Sequence, residues 1–256
     1  MRHVTPLWGE ARIGLEAAKL LRDPVFRGEG LTDGRGQPVL LIPGFMAGDN
    51  SLALMTRWLR RSGRHTSRAG MRLNVGCGGR ALHSLERRLE ALARRQGRKV
   101  VVIGQSRGGS FAKVLARLRP DLVAGIVTLG SPTLDPLAVH PAVRASVKGL
   151  AMLGGLGAPG LFSNDCLDGD CCARFWELHD KPFPRGVGFV AIYSRSDGIV
   201  DWRKCLDPAA IHVEIQSSHI GMAVHPDGYR AIADVLRGVE PARPARRLGH
   251  QHRRAA

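Results

Sequence analysis

Three valines and an isoleucine at 100–103 lead into Gly104-Gln105-Ser106-Arg107-Gly108, and a run with helical spacing follows to residue 118. A continuous β-branched run suits a strand buried on both faces. A chain passing from strand to helix this abruptly must turn tightly. Glycines two before and two after the serine remove the Cβ atoms that would collide there. A strand covered on both faces needs helices above and below its sheet, so this stretch restricts the chain to a layered α/β architecture.

The rest of the pattern agrees. Strands are predicted at 38–42, 123–129, 189–193 and 211–215, with a weaker one at 65–68. Helices are predicted at 50–61, with Leu52, Met55 and Leu59 on one face, and at 80–96, with Leu82, Leu85, Leu89 and Leu92. Further helices fall at 108–118 and 224–236. The fold class read from this alternation is α/β, with about six mainly parallel strands and helices on both faces. The boundaries read as a helical lead-in over 1–37 that looks peripheral, one domain over 38–240, and a disordered basic tail over 241–256. Between 132 and 188 the alternation breaks down, and the segment is too long for a bare loop. It is read as a cap insertion.

The chain carries 38 Lys+Arg against 22 Asp+Glu, a formal charge of +16. Such a charge attracts anionic partners. The arginines are spread along the whole chain, however, and aromatic residues are only 5%, so no nucleic-acid motif emerges. Nucleic acid is not an expected partner, and weak association with an anionic membrane surface is the most that the charge implies. No signal core and no run approaching the ~20 apolar residues of a membrane span is visible. The expected location is cytoplasmic, with peripheral membrane association.

A serine on such a turn is a candidate nucleophile, but its hydroxyl is weak until a base takes the proton. Asp197 and His219 lie just beyond the predicted strands at 189–193 and 211–215, where loops at one sheet edge can converge. Asp197 would orient the imidazole, and His219 would act as the base. Asp201 is the nearest rival acid and Asp135 a more distant one. His212 and His225 read as structural. Two backbone N–H groups suit a developing oxyanion: Arg107, at the start of a helix, and Phe45, in the loop after the first strand, with Met46 as fallback.

Together Pro43-Gly44-Phe45, Gly104-Gln105-Ser106-Arg107-Gly108, Ser194-Arg195-Ser196-Asp197-Gly198-Ile199-Val200 and Ser218-His219-Ile220-Gly221-Met222 resemble the α/β-hydrolase superfamily. The likeness is to its small bacterial lipase and esterase-like members, over roughly 38–236. The resemblance implies a Ser106–His219–Asp197 triad, cleavage of carboxylic esters through an acyl-enzyme, and no required cofactor. Its substrate would be a small-molecule or lipid ester. Many relatives carry His where Pro43 stands. An apolar residue is frequent where Arg107 stands, so its side chain is expected to influence substrate charge preference. The same groups would serve an acyltransferase, and a non-catalytic scaffold binding anionic lipid or nucleic acid is a third reading. Apolar residues of the insertion, such as Leu150, Met152, Leu156 and Leu161, could receive an acyl chain or fill a core. Met46, Leu153 and Phe162 are the named substrate-binding candidates.

Five cysteines remain: Cys77, Cys166, Cys171, Cys172 and Cys205. Three readings stay open. Cys171 or Cys172 could pair with Cys205 in a disulfide like those near the acid in some bacterial lipases. Thiolates could bind a metal together with Asp168 or Asp170, although the spacing matches no common zinc pattern. All could be reduced thiols. No metal site is assigned, and Cys77 reads as unpaired. Asn74, Gly76 and Gly78 have no assigned role.

Overall fold

The computed structural model describes residues 7–239; the predicted tail over 241–256 lies outside them. Four strands carry the centre of the sheet: β1 (Pro38–Ile42), β3 (Val100–Gln105), β4 (Val123–Leu129) and β5 (Gly188–Tyr193). Two edge strands flank them, β2 (His65–Arg68) and β6 (Ile211–Glu214). The order is β2-β1-β3-β4-β5-β6, and every pairing is parallel. The centre is apolar and buried on both faces, whereas His65-Thr-Ser-Arg68 at one edge is polar and partly exposed, as an unpaired edge requires.

Side chains alternate across the sheet and build two cores. Val39, Leu41, Val101, Ile103, Val127 and Ile192 face one layer of helices, α1 (Ile13–Arg22), α2 (Ala53–Arg61) and α8 (Pro226–Val239). Leu40, Ile42, Val100, Val102, Ile126 and Ala191 face the other, α3 (Gly78–Gln96), α4 (Arg107–Leu118) and α7 (Ala173–Asp180). The four leucines predicted along one face of α3 are all buried, each worth about 1.5–3 kcal/mol.

Between β4 and β5 lie α5 (Pro141–Gly155), α6 (Asp165–Asp168) and α7. Phe175 and Leu178 of α7 belong to the second core. By contrast, Ala151 alone is buried in α5, which lies out over the sheet's carboxyl edge. The lead-in differs from its expected peripheral role. It forms a 3₁₀ turn over Leu7–Arg12 followed by α1, and it buries Glu10 and Glu16 along with Leu20. Among the described residues, no helix is long and apolar enough to cross a membrane.

Candidate active site

Ser106 stands between β3 and α4 with φ 50° and ψ −123°. An L residue rarely adopts that conformation, and holding it costs on the order of 1–3 kcal/mol. The surroundings enforce it. The Ser106 N–H donates to Leu129 O at 2.8 Å, and the Gly109 N–H donates to Ser106 O at 2.9 Å. A Cβ on Gly104 would sit 2.3 Å from Gly108 O, and one on Gly108 would sit 2.2 Å from Ile42 O. Both flanking glycines are therefore demanded by backbone approaching backbone, which lifts the serine to the carboxyl edge of the sheet.

The loop after β1 passes beside it; a Cβ on Gly44 would lie 3.2 Å from Ser106 Cβ. Met46 takes a positive φ of 56°, and its N–H is engaged by Asn74 O at 3.4 Å. The fallback donor is therefore occupied. The N–H groups of Phe45 and Arg107 have no acceptor among the described residues, the condition expected of donors kept for an oxyanion.

The Arg107 side chain folds away from the role expected of it. Its guanidinium donates to Asn74 O and Asn74 Oδ1, each at 3.1 Å, and to Gly76 O at 2.9 Å. It also lies over the rings of Phe111 and Phe162. Asn74 Nδ2 in turn donates to Pro43 O at 2.9 Å. Asn74 and Gly76 thus join the serine turn to the loop carrying Phe45. Desolvation lowers the Arg107 pKa to about 10, partly opposed by nearby cysteines, so it stays charged at neutral pH.

Asp197 and His219 meet from loops beyond β5 and β6. His219 Nδ1 lies 2.7 Å from Asp197 Oδ2, and both residues are buried. Asp197 Oδ1 accepts from the N–H groups of Ile199 and Val200 at 2.8 and 2.7 Å, which fixes the carboxylate. Desolvation pulls the His219 pKa down. The charge and hydrogen bond of Asp197, with a further contribution from Glu10, outweigh this, and the net shift is upward. The rivals are committed elsewhere. Asp201 accepts from Arg203 N–H, Asp135 from Leu137 N–H, and His225 from Asp227 N–H. His212 contacts Asp207 O at 2.8 Å.

No family model and no curated protein sequence matches the chain. Its structure is similar to that of a mature Bacillus licheniformis lipase, with TM-score 0.59 and 13% identity over 80% of this chain and 94% of that one. A monoacylglycerol lipase of Paleococcus ferrophilus gives TM-score 0.55 and 16% identity over 82% and 96%. A soluble variant of the Saccharomyces cerevisiae monoglyceride lipase, complexed with a substrate analogue, gives 0.56 and 13% over 80% and 86%. The chain has the α/β-hydrolase fold.

Within this α/β-hydrolase fold the lead-in braces the histidine side of the site. Glu10 Oε1 accepts from the N–H groups of Gly198 and His219, and Oε2 from Ile220 N–H, all at 3.0 Å. One buried carboxylate therefore clamps the loop of Asp197 to that of His219. Glu16 accepts from Ser217 Oγ at 3.1 Å, Ser218 N–H at 2.8 Å and Ser218 Oγ at 2.5 Å. Sequence reading missed both glutamates, because charged residues in a turn or on an amphipathic helix ordinarily face water. The available signal was slight: Glu16 stands among the apolar positions of α1, and Glu10 lies in the turn before it.

Ser106 and His219 open into one cavity of about 490 Å³, lined largely by apolar groups. Of the named substrate-binding candidates, Met46 and Phe162 line it, and Phe162 packs against Phe45 with ring centroids 6.2 Å apart. Leu153 does not line it. The wall from α5 is Val143, Ser146 and Val147. Leu153 follows about two helical turns beyond Ser146, past the cavity, and is 47% exposed. Met152 and Leu156 are likewise exposed.

The bridge from Cys171 or Cys172 to Cys205, one of the three readings left open, is not formed, and all five cysteines are free. Cys205 is buried against Tyr193 and Val200, where desolvation first and then the charges of Asp197 and Asp201 raise its thiol pKa. Cys77 is free of any disulfide, as read, and its sulfur lies beside those of Cys166, Cys171 and Cys172.

Proposed function

We propose that this chain is a serine hydrolase that cleaves carboxylic esters with an apolar acyl group. The observation that carries the reading is convergence. A serine held at φ 50°, an imidazole 2.7 Å from a buried carboxylate and two backbone N–H groups without acceptors among the described residues surround one apolar cavity. The likeness to lipases supports it at the level of fold.

In the proposed reaction Ser106 Oγ attacks the ester carbonyl while His219 Nε2 takes its proton. The oxyanion forms against the N–H groups of Phe45 and Arg107. Asp197 holds the Nδ1–H tautomer and stabilises the imidazolium. His219 then protonates the leaving alcohol, and water activated by His219 releases the acid from Ser106. With Arg107 bound to backbone carbonyls, selection falls to the cavity's apolar wall, which favours acyl chains over charged groups. Exposed Met152 and Leu156 beside this wall, on a chain of charge +16, support weak attachment to an anionic lipid surface.

The test is hydrolysis of p-nitrophenyl esters of increasing acyl length by wild type and Ser106→Ala. The expected result is turnover that peaks at medium or long acyl groups and falls at least about 10⁴-fold in the variant. Equal rates in both proteins would refute the assignment of Ser106. Ester product exceeding free acid when an alcohol is supplied would move the reading to acyl transfer.

A further inference from the structure

Three of the four clustered cysteines come from the segment between β4 and β5, and the fourth, Cys77, stands at the start of α3, 94 residues before Cys171. Their sulfurs all lie within 4.8 Å of one another. Cys77 is 3.9 Å from both Cys171 and Cys172; Cys171 is 3.8 Å from Cys172 and 3.3 Å from Cys166. These separations are far too long for a disulfide, whose sulfurs stand about 2.05 Å apart. They match another geometry. Four thiolates at about 2.3 Å from a tetrahedral zinc ion stand roughly 3.8 Å from each other. We propose that Cys77, Cys166, Cys171 and Cys172 are the four ligands of a structural zinc ion that joins the start of α3 to the segment above the cavity.

The surroundings suit a bound thiolate cluster. The Gly79 N–H donates to Cys172 Sγ at 3.3 Å, and the N–H groups of Gly79 and Arg80 face the Cys77 sulfur. These donors belong to the first turn of α3, where N–H groups have no partner within the helix and the dipole favours negative charge. A Cβ on Gly79 would lie 2.2 Å from Cys171 O, and one on Gly78 would lie 3.3 Å from Cys172 Sγ, so the two glycines let the loops close on the cluster. Zinc held by four thiolates carries a net charge of −2. The Arg107 guanidinium has no carboxylate partner among the described residues, and it lies within electrostatic range of Cys77, Cys166 and Cys172. It supplies a countercharge to the cluster.

Four thiolates close the coordination shell, leaving no position for water or substrate, which makes the site structural rather than catalytic. On binding, each thiol releases its proton to solvent. The consequence is architectural. Cys166 and Cys172 line the cavity, and Gly76, beside Cys77, holds Arg107. The ion therefore ties one wall of the cavity to the serine turn.

The test is the metal content of the full-length protein, purified under reducing conditions without chelator, and of Cys166→Ser, Cys77→Ser and Cys205→Ser. Wild type and Cys205→Ser are expected to hold about one zinc per chain, and Cys166→Ser and Cys77→Ser to lose most of it. Because Cys77 is buried and its variant could misfold, the wild-type protein is also stripped with a chelator and refilled with Co²⁺. Tetrahedral cobalt–thiolate absorption saturating at one equivalent would support the site. Stripping is expected to lower the thermal midpoint by roughly 10 °C, as for a tightly bound ligand of the native state. A chain that purifies without metal and shows no cobalt–thiolate absorption would overturn the proposal. So would a Cys166–Cys171 disulfide under the same reducing conditions. All these readouts are independent of ester hydrolysis, so they stand apart from the proposed activity.

Discussion

The Ser106 side of the site and the His219 side are held by different means. Ser106 is fixed by steric fit: Gly104 and Gly108 have no room for a Cβ, and the turn is stitched to β4 by one backbone hydrogen bond at 2.8 Å. Asp197 and His219 lie on loops that do not constrain each other in this way. They are held by charge, through Glu10 and Glu16 reaching in from the N-terminal segment. Steric fit is all or nothing, because a Cβ 2.2 Å from a carbonyl oxygen cannot be accommodated without moving the backbone. A charged clamp is graded, since neutralising it weakens several hydrogen bonds without creating a collision.

This contrast orders the expected effects. Gly108→Ala should be the most damaging change, giving little soluble folded protein, as judged by yield and circular dichroism; a normally folded, active variant would break the steric account. Asp197→Asn should leave the fold intact and lower kcat by about 10³–10⁴-fold, because the wrong histidine tautomer is then favoured. Unchanged kcat would point to another acid.

Glu10→Gln should lower kcat only about 10-fold, consistent with a positioning role, and it should also move the pH profile. In the proposed mechanism His219 works as a base when neutral, so activity should rise with pH through its pKa. The Glu10 charge contributes to holding that pKa up. Removing the charge lowers the pKa, so the acidic limb should shift to lower pH. A limb that stays in place, measured as kcat/KM against pH, would show that Glu10 acts by shape alone. Glu16→Gln, which leaves the Ser217 and Ser218 donors poorly matched, should cost about 1–3 kcal/mol, read as a lower thermal midpoint with a normal pH profile. Asp201→Asn should be the mildest, changing kcat by less than about 2-fold, because Asp201 caps a turn and pairs with exposed Arg203.

Local chemistry was legible wherever a short stretch of sequence carries its own constraint. The buried strands, the leucine face of α3 and the glycines around Ser106 follow from periodicity and turn sterics, which act over a few residues, whereas the order Ser106, Asp197, His219 is implied by the resemblance to α/β-hydrolases. Cap contacts were less legible. The sequence marks Leu153 only as an apolar residue of the insertion, but where α5 crosses the cavity decides that Val143 and Val147 line it instead.

What the sequence alone determined is the layered parallel sheet and the tight turn that carries Ser106, because burial patterns and backbone collisions are local; the company of Asp197 and His219 is implied by the family resemblance. Only the tertiary structure decided the partners of Glu10, Arg107 and Cys77. Each makes its contacts with chain far away in sequence, where spacing carries no signal: Glu10 with His219, Arg107 with Asn74, and Cys77 with Cys171 and Cys172. A buried charge or thiol declares its role only once packing has removed it from water and set its counterpart beside it.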